Sequence, residues 1–208
     1  MNVQSQNKAR RTRGRPATPG RRDHLLDTAL TLFAERGFHG TSIPELAAAA
    51  GLAPASIYRH VESKEQLVNE VYRRAKALLA AALFRAVPVA ATAPLREQFH
   101  HLWWALVGFA RTEPRAFAFL ELHHHGDYLD IESRAVELRV LAPIAQVVER
   151  GRTARVLKSL PAPALIVTVW GAFVGMVRAA RAGYFALDDD VCRSVELTAW
   201  DAIAASAA

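Results

Sequence analysis

The stretch "RRTRGRPATPGRR" (10–22) concentrates six arginines and contains no acid. Guanidinium groups stay charged at any physiological pH, and their planar donors match phosphate oxygens. This composition suits contact with a polyanion. Further along, "PASIYRHVESK" (54–64) places Tyr58, Arg59, His60 and Lys64 around a short apolar pair, Ile57 and Val61. Four residues apart, that pair can anchor one face of a helix, leaving hydrogen-bond donors on the rest of its surface. A third group is histidine-rich: His100, His101 and "HHH" at 123–125. Imidazole binds metals and exchanges protons near neutral pH. A metal site there requires partners such as Glu121 or His101 to be brought close by the fold. The alternative is ordinary surface or pocket-lining histidines, and no metal is expected.

No nucleophile elbow, phosphate-binding loop or H-E-x-x-H pair occurs in residues 75–208, so no enzymatic activity and no cofactor are expected. Cys192 is the single cysteine, which excludes an intrachain disulfide and multi-cysteine metal sites and fits a reducing cytoplasm. The basic N-terminal stretch lacks a following apolar run, so neither a secretory nor a twin-arginine export signal is read there.

Charge is distributed unevenly. Residues 1–22 carry seven basic side chains and no acid; the other 19 of the chain's 26 lysines and arginines face 20 acids. The basic character of the chain is therefore a property of its N-terminal arm. Residues 23–74 hold five basic and seven acidic groups. If this segment binds a polyanion, much of the electrostatic attraction must come from the arm.

The elements that position these groups are all helical. Residues 1–20 lack periodicity and contain Gly14, Pro16, Pro19 and Gly20, which reads as a disordered basic arm. From Asp23 the apolar residues Leu26, Ala29, Leu30, Phe33 and Ala34 follow helical spacing, with Gly37 as a stop. Ser42 and Glu45 have capping-box spacing ahead of Ile43, Leu46, Ala47 and Ala50, and Pro44 suits a first turn. Gly51 ends that helix, Pro54 begins a third, and Ser63 with Gln66 begins a fourth, which runs to about Ala86. "VPVAATAP" (87–94) reads as a loop. Further helices are expected over about 95–111, 114–125, 130–150, 161–182 and 188–205, about nine in all. The fold class is all-α, with no period-two alternation anywhere. "PAPALIVTVWGAFVGMV" (161–177) has no charge and is at the short limit for a membrane span; a buried helix of a cytoplasmic protein is expected instead, with no membrane partner.

Between Thr41 and Lys64, a short helix, a glycine turn and a second short helix make a helix-turn-helix, with Ala47 and Gly51 small enough for the helices to cross closely. The run "LLDTALTLFAERGFHGTSIPELAAAAGLAPASIYRHVESKEQLVNEVY" (25–72) resembles the TetR/AcrR family of bacterial transcriptional regulators, through "FAERGFHGTS", "AGLAPASIYRHV" and "SKEQL" in order. The resemblance implies a homodimer. A helix-turn-helix DNA-binding domain (21–74) would read a half-site of a near-palindromic double-stranded operator. A helical ligand-binding and dimerisation domain (75–208) would take a small molecule and release the DNA. Positions matching the family's DNA contacts are Thr41, Pro54, Ala55, Ser56, Tyr58, His60 and Lys64; Arg59 joins them on its chemistry. Tyr58, His60 and Lys64 suit phosphate oxygens, while Ala55 and Ser56 allow close approach to base edges. Arg59 suits a guanine or a phosphate, or is a solvated surface side chain. Ala53 stands where the family often has a capping serine or threonine.

"RGRP" (13–16) resembles the core of an AT-hook, in which Arg13 and Arg15 enter a narrow A·T-rich minor groove. The alternative is a nonspecific electrostatic arm. The family layout also implies a cavity among the later helices. Trp103, Phe117, His123, His124, Tyr128 and Trp170 are its candidate lining, suited to a small lipophilic or aromatic ligand, with core packing as the other reading. Gly171 and Gly175, four apart, with Val191, Val195, Leu197, Thr198 and Ile203, suggest a dimer surface of paired helices. The competing function is a small-molecule- or metal-binding helical protein whose tail holds nucleic acid nonspecifically.

Overall fold

A computed structural model describes residues 20–90 and 93–205. The described residues form α1 (Arg21–Arg36), α2 (Ile43–Ala49), α3 (Pro54–Ile57), α4 (Lys64–Ala90), α5 (Leu95–Thr112), α6 (Pro114–Leu122), α7 (Ile131–Thr153), α8 (Ala162–Arg181) and α9 (Asp189–Ile203). Among them the only extended pairing is an isolated bridge between Leu157 and Ala204. Arg13 and Arg15 lie outside the described residues.

Four of the described helix starts carry a side-chain cap. Ser42 accepts from the Glu45 amide while the Glu45 carboxylate accepts from the Ser42 amide at 2.8 Å, a reciprocal capping box. Ser63 accepts from the Gln66 amide at 3.0 Å, opening α4. Asp130 and Asp188 cap α7 and α9 by accepting from the Ser133 and Val191 amides. The segment expected as a loop from residue 87 is helical as far as Ala90, because alanine-rich helical propensity carries α4 past Pro88.

One apolar core runs through both parts of the chain. It joins Leu25 and Phe33 of α1, Leu46 and Ala47 of α2, Ile57 of α3 and Leu67, Val71 and Leu79 of α4 to Trp103, Phe119 and Phe173 of the later helices. The 27-residue α4 belongs to both halves, so no linker separates the helix-turn-helix from the body.

Candidate nucleic-acid interface and cavity

Ala47 is fully buried at the crossing of α2 and α3, and Gly51 turns the chain between them with φ +64°, a conformation that penalises a side chain. Ile57 and Val61 are both buried, which fixes the rotation of the short helix. Regular α-helix stops at Ile57, but the chain keeps turning: the Arg59 amide bonds to Ser56 O, and the His60 and Val61 amides bond to Ile57 O. Ala53 supplies no side-chain cap. Pro54, Ala55, Tyr58 and Arg59 are consequently exposed, with Ser56 and His60 half-buried at their flanks. Tyr58 leaves 57 % of its surface open. These residues form one outward edge on a fixed base.

Lys64 borders this edge. Its ammonium sits 4.1 Å above the centre of the Phe38 ring, and burial holds its pKa below the ordinary lysine value. Thr41 is a correction. It is 2 % exposed, and its hydroxyl donates to Gly37 O at 2.9 Å. It locks the α1–α2 corner rather than facing outward, because the hydroxyl must satisfy its own hydrogen bond once the corner buries it. Arg22, part of the arginine run, is also committed: both Glu70 carboxylate oxygens accept from its Nη2 at 2.8 Å, pinning α1 to α4.

The body contains a cavity of about 480 Å³ between α4, α5, α7 and α8. Its walls are largely apolar, with Leu79, Leu83, Trp103, Leu106, Ile144 and Trp170 among them. Of the six sequence candidates, Trp103 and Trp170 line it. Four other candidates do not. Phe117 is buried in the core against Phe173. The three consecutive histidines are not on a helix, since α6 ends at Leu122 and His123 is extended. They diverge: the His123 Nε2–H donates to Ala34 O of α1 at 2.9 Å, His124 faces solvent, and His125 lines the cavity. Among the described residues no group of three histidine, cysteine, aspartate or glutamate side chains is placed to hold a metal.

Tyr128 lies between cavity and head. Its hydroxyl donates to His125 Nδ1 at 2.6 Å, while the His125 Nε2–H donates to Phe119 O at 2.8 Å. Burial keeps the His125 pKa below its usual value, consistent with a neutral ring, and pushes the Tyr128 phenol up to about 12. The Tyr128 ring packs on Phe38 with centroids 4.5 Å apart, and Phe38 carries Lys64. The buried Asn69 holds this segment from α4, donating to Tyr128 O and accepting from the Asp130 amide. Residues 123–130 thus form a strap from the cavity wall to the base of the outward edge.

Residues 25–71 match the model of the bacterial regulatory proteins of the tetR family, and residues 78–205 match the tetracyclin repressor-like C-terminal domain. The chain belongs to the TetR family. It is a regulator with a helix-turn-helix domain followed by a helical body, not an enzyme. The transcriptional repressor KstR2 of Rhodococcus jostii is 52 % identical over 54 residues, 26 % of each chain. The regulator AcrR of Shigella flexneri is 43 % identical over 51 residues, 24 % of each. The chain thus aligns with about a quarter of the length of these curated relatives. Similarity to solved structures extends further: a TetR family transcription regulator from Marinobacter aquaeolei VT8 superposes with a TM-score of 0.78 at 26 % identity, covering 90 % of this chain and 97 % of that one.

Within this TetR-family body, sequence reasoning missed Tyr72, Lys76, His125, Arg134 and Glu137 in the polar lining of the cavity, and named Glu121 only as a possible metal partner of the histidines. Lys76 and Glu137 carry no special spacing, and charges on long helices ordinarily face water. His125 was within reach, since it belongs to the singled-out triplet. The expectation that 161–177 is a buried helix also needs correcting. α8 is the one described helix long and apolar enough to cross a membrane, yet only 22 % of that window is buried. Leu165, Phe173, Met176 and Val177 face the core, Gly171 and Gly175 face outward and meet nothing, and the exposed Val167 stands at the edge of the cavity lining. Ile203, expected at a dimer surface, is buried with Leu157 and Leu165 inside the chain.

Proposed function

We propose that this protein is a cytoplasmic, homodimeric transcriptional repressor that binds a near-palindromic operator in double-stranded DNA and is released by a small lipophilic molecule. The observation that carries the reading is the outward edge of Ala55, Tyr58 and Arg59 on a base fixed by Ile57 and Val61. An edge of this size fits a major groove, with Ala55 and Ser56 near base edges, Arg59 at a guanine or phosphate, and Tyr58, His60 and Lys64 on phosphates. The base is acidic overall, so the arm with Arg13 and Arg15 supplies phosphate affinity; about a dozen extended residues reach roughly 40 Å, far enough for a neighbouring minor groove.

The uncovered face of α8, continued by Leu197 and Thr198 of α9, is the dimer surface in this reading. The cavity receives the effector. A ligand that displaces His125 disturbs Tyr128, Phe38 and Lys64 in turn, and α4 shifts with them, which spreads the paired reading edges. Residues 21–74 then act as the DNA-binding domain and 75–208 as the ligand-binding and dimerisation domain, with α4 shared.

Selection of bound sequences from random duplex DNA by the purified full chain tests this. The expected outcome is a near-palindromic consensus also found upstream of the protein's own gene. Absence of sequence preference at moderate salt would refute the reading and favour a helical small-molecule-binding protein with a nonspecific tail.

A further inference from the structure

The cavity's polar groups gather at one end, and most are already committed. Both His125 nitrogens are bonded, to Tyr128 and to Phe119 O. The exposed Arg134 guanidinium donates to Leu129 O and Gly126 O. The Tyr72 hydroxyl is turned to Glu137. Among the described residues, two groups keep unused hydrogen-bonding capacity. The Lys76 side chain is 10 % exposed, yet among the described residues its ammonium has no hydrogen bond: Glu137 is its nearest carboxylate at 3.6 Å, and the Tyr72 ring lies 5.4 Å away. Glu121 accepts from the Trp170 indole N–H at 2.9 Å through Oε2, and among the described residues no hydrogen bond engages its other oxygen. Burial pushes the Glu121 carboxyl above its ordinary range, against the pull of Lys76 and the Trp170 N–H.

These groups balance one another. The charge of Lys76 is answered by Glu137, and desolvation favours the neutral form of Glu121. An anionic ligand head entering here meets the Glu137 carboxylate, and a cationic head meets Lys76. Either leaves a charge poorly compensated in an apolar wall, which is costly. An uncharged oxygen has no such penalty. It takes a hydrogen bond from the free Lys76 donors, and a hydroxyl also gives one to Glu121. Leaving both protein groups unsatisfied disfavours a plain hydrocarbon.

We propose that the cavity selects a lipophile with an uncharged oxygen at one end, a hydroxyl above all, which accepts from Lys76 and donates to Glu121. This rests on the reading of the cavity as an effector site. The hydroxyl end lies beside His125, so the same ligand is placed against the strap that reaches Phe38 and Lys64.

Decanol, decanoate and decyltrimethylammonium share one alkyl chain and differ in head charge. Titration of the full chain with each, followed by calorimetry and thermal unfolding, reads the preference directly. Decanol is expected to bind at least about tenfold more tightly than either charged probe, the scale of one well-made buried hydrogen bond. Lys76→Met should remove most of that preference. Glu121→Gln, which keeps the shape and a hydrogen-bonding group, provides the second variant and should retain it. A charged probe that equals or exceeds decanol, or failure of all three to bind, overturns the proposal. DNA binding assayed in parallel separates the two readings. A charged probe that binds best and releases DNA overturns only the ligand class. Decanol binding without any effect on the DNA complex upholds the class and refutes release.

Discussion

The corner between α1 and α4 and the outer face of α8 are both amphipathic helical surfaces, finished very differently. At the corner, Thr41, Ser42 and Glu45 satisfy one another or the backbone, Arg22 is paired with Glu70, and Asn69 holds the strap from both its donor and acceptor sides. Along α8, Val167 is 67 % exposed and two glycines face open space, with Leu197 half-exposed on α9. One surface is complete in a single chain; the other leaves apolar area uncovered. The contrast separates a helix-turn-helix, which must hold its shape to within a side chain, from a face that its own chain leaves uncovered.

The largest expected effect tests whether the finished corner and the body are one unit. Phe119 is fully buried at their junction, stacked on Phe33 of α1 and edge-on to Tyr72 of α4 and His125 of the strap. Phe119→Ala should lower stability by about 3–5 kcal/mol in urea unfolding. All four tryptophans lie at or beyond residue 103, so their fluorescence reports the body, while helical circular dichroism reports the whole chain. Coincident transitions before and after substitution are expected for a shared core. A separate early melt of the helical signal would break the comparison.

The open face is tested next. Val167→Glu places a charge at the centre of the α8 surface and should weaken self-association by about 2 kcal/mol or more, the scale of a buried interface anchor, as read by sedimentation. Stability at a concentration where wild type is already monomeric should barely change, because Val167 is two-thirds exposed in its own chain, at the rim of the cavity. A wild-type chain that stays monomeric at high concentration would remove the basis for the contrast.

On the reading edge, Arg59→Ala should cost about 1–3 kcal/mol of DNA affinity if the guanidinium reaches a base, and alter preference at one position of each half-site. A uniform loss across sequences with a shallower salt dependence would instead assign Arg59 to phosphate. The same pair of readouts applied to a chain lacking residues 1–20 should give the phosphate pattern.

The same contrast explains what was legible in the sequence. The corner was legible because its determinants are local: Ser42 and Glu45 are three apart, Gly51 carries the turn, and Ile57 and Val61 set the rotation of a helix within a few residues. Thr41 was misread because its burial depends on Gly37 and Leu32, which only the folded corner brings near. The strap was misread because no proline lies close enough to stop α6 at Leu122. The extended His123 is held by Ala34 O, 89 residues earlier in the chain. Most of the polar end of the cavity was illegible for a related reason. Lys76, Glu121 and Glu137 come from three helices, and nothing in their spacing tells a charge facing a cavity from one facing water.

The smallest effect tests the corner at its most local point. The Ser42 side chain and amide, with help from Arg36 and Lys64, hold the Glu45 carboxyl below its ordinary value of 4.5. A carboxyl depressed in the folded state contributes stability that is fully present above the unfolded pKa and is lost as pH falls through the folded one. The acid limb of the stability profile should therefore include a contribution from Glu45 that fades only below about pH 4.5. Glu45 is fully exposed, so solvent screening keeps this contribution small. Ser42→Ala removes the hydroxyl cap and should cost about 1 kcal/mol at neutral pH. It should cost less at low pH, where the carboxylate no longer returns the bond to the Ser42 amide. A pH-independent cost would mean that the hydroxyl alone holds the α2 start and that Glu45 is a bystander. The finished character of the corner would then rest on Thr41 and the buried core beneath it.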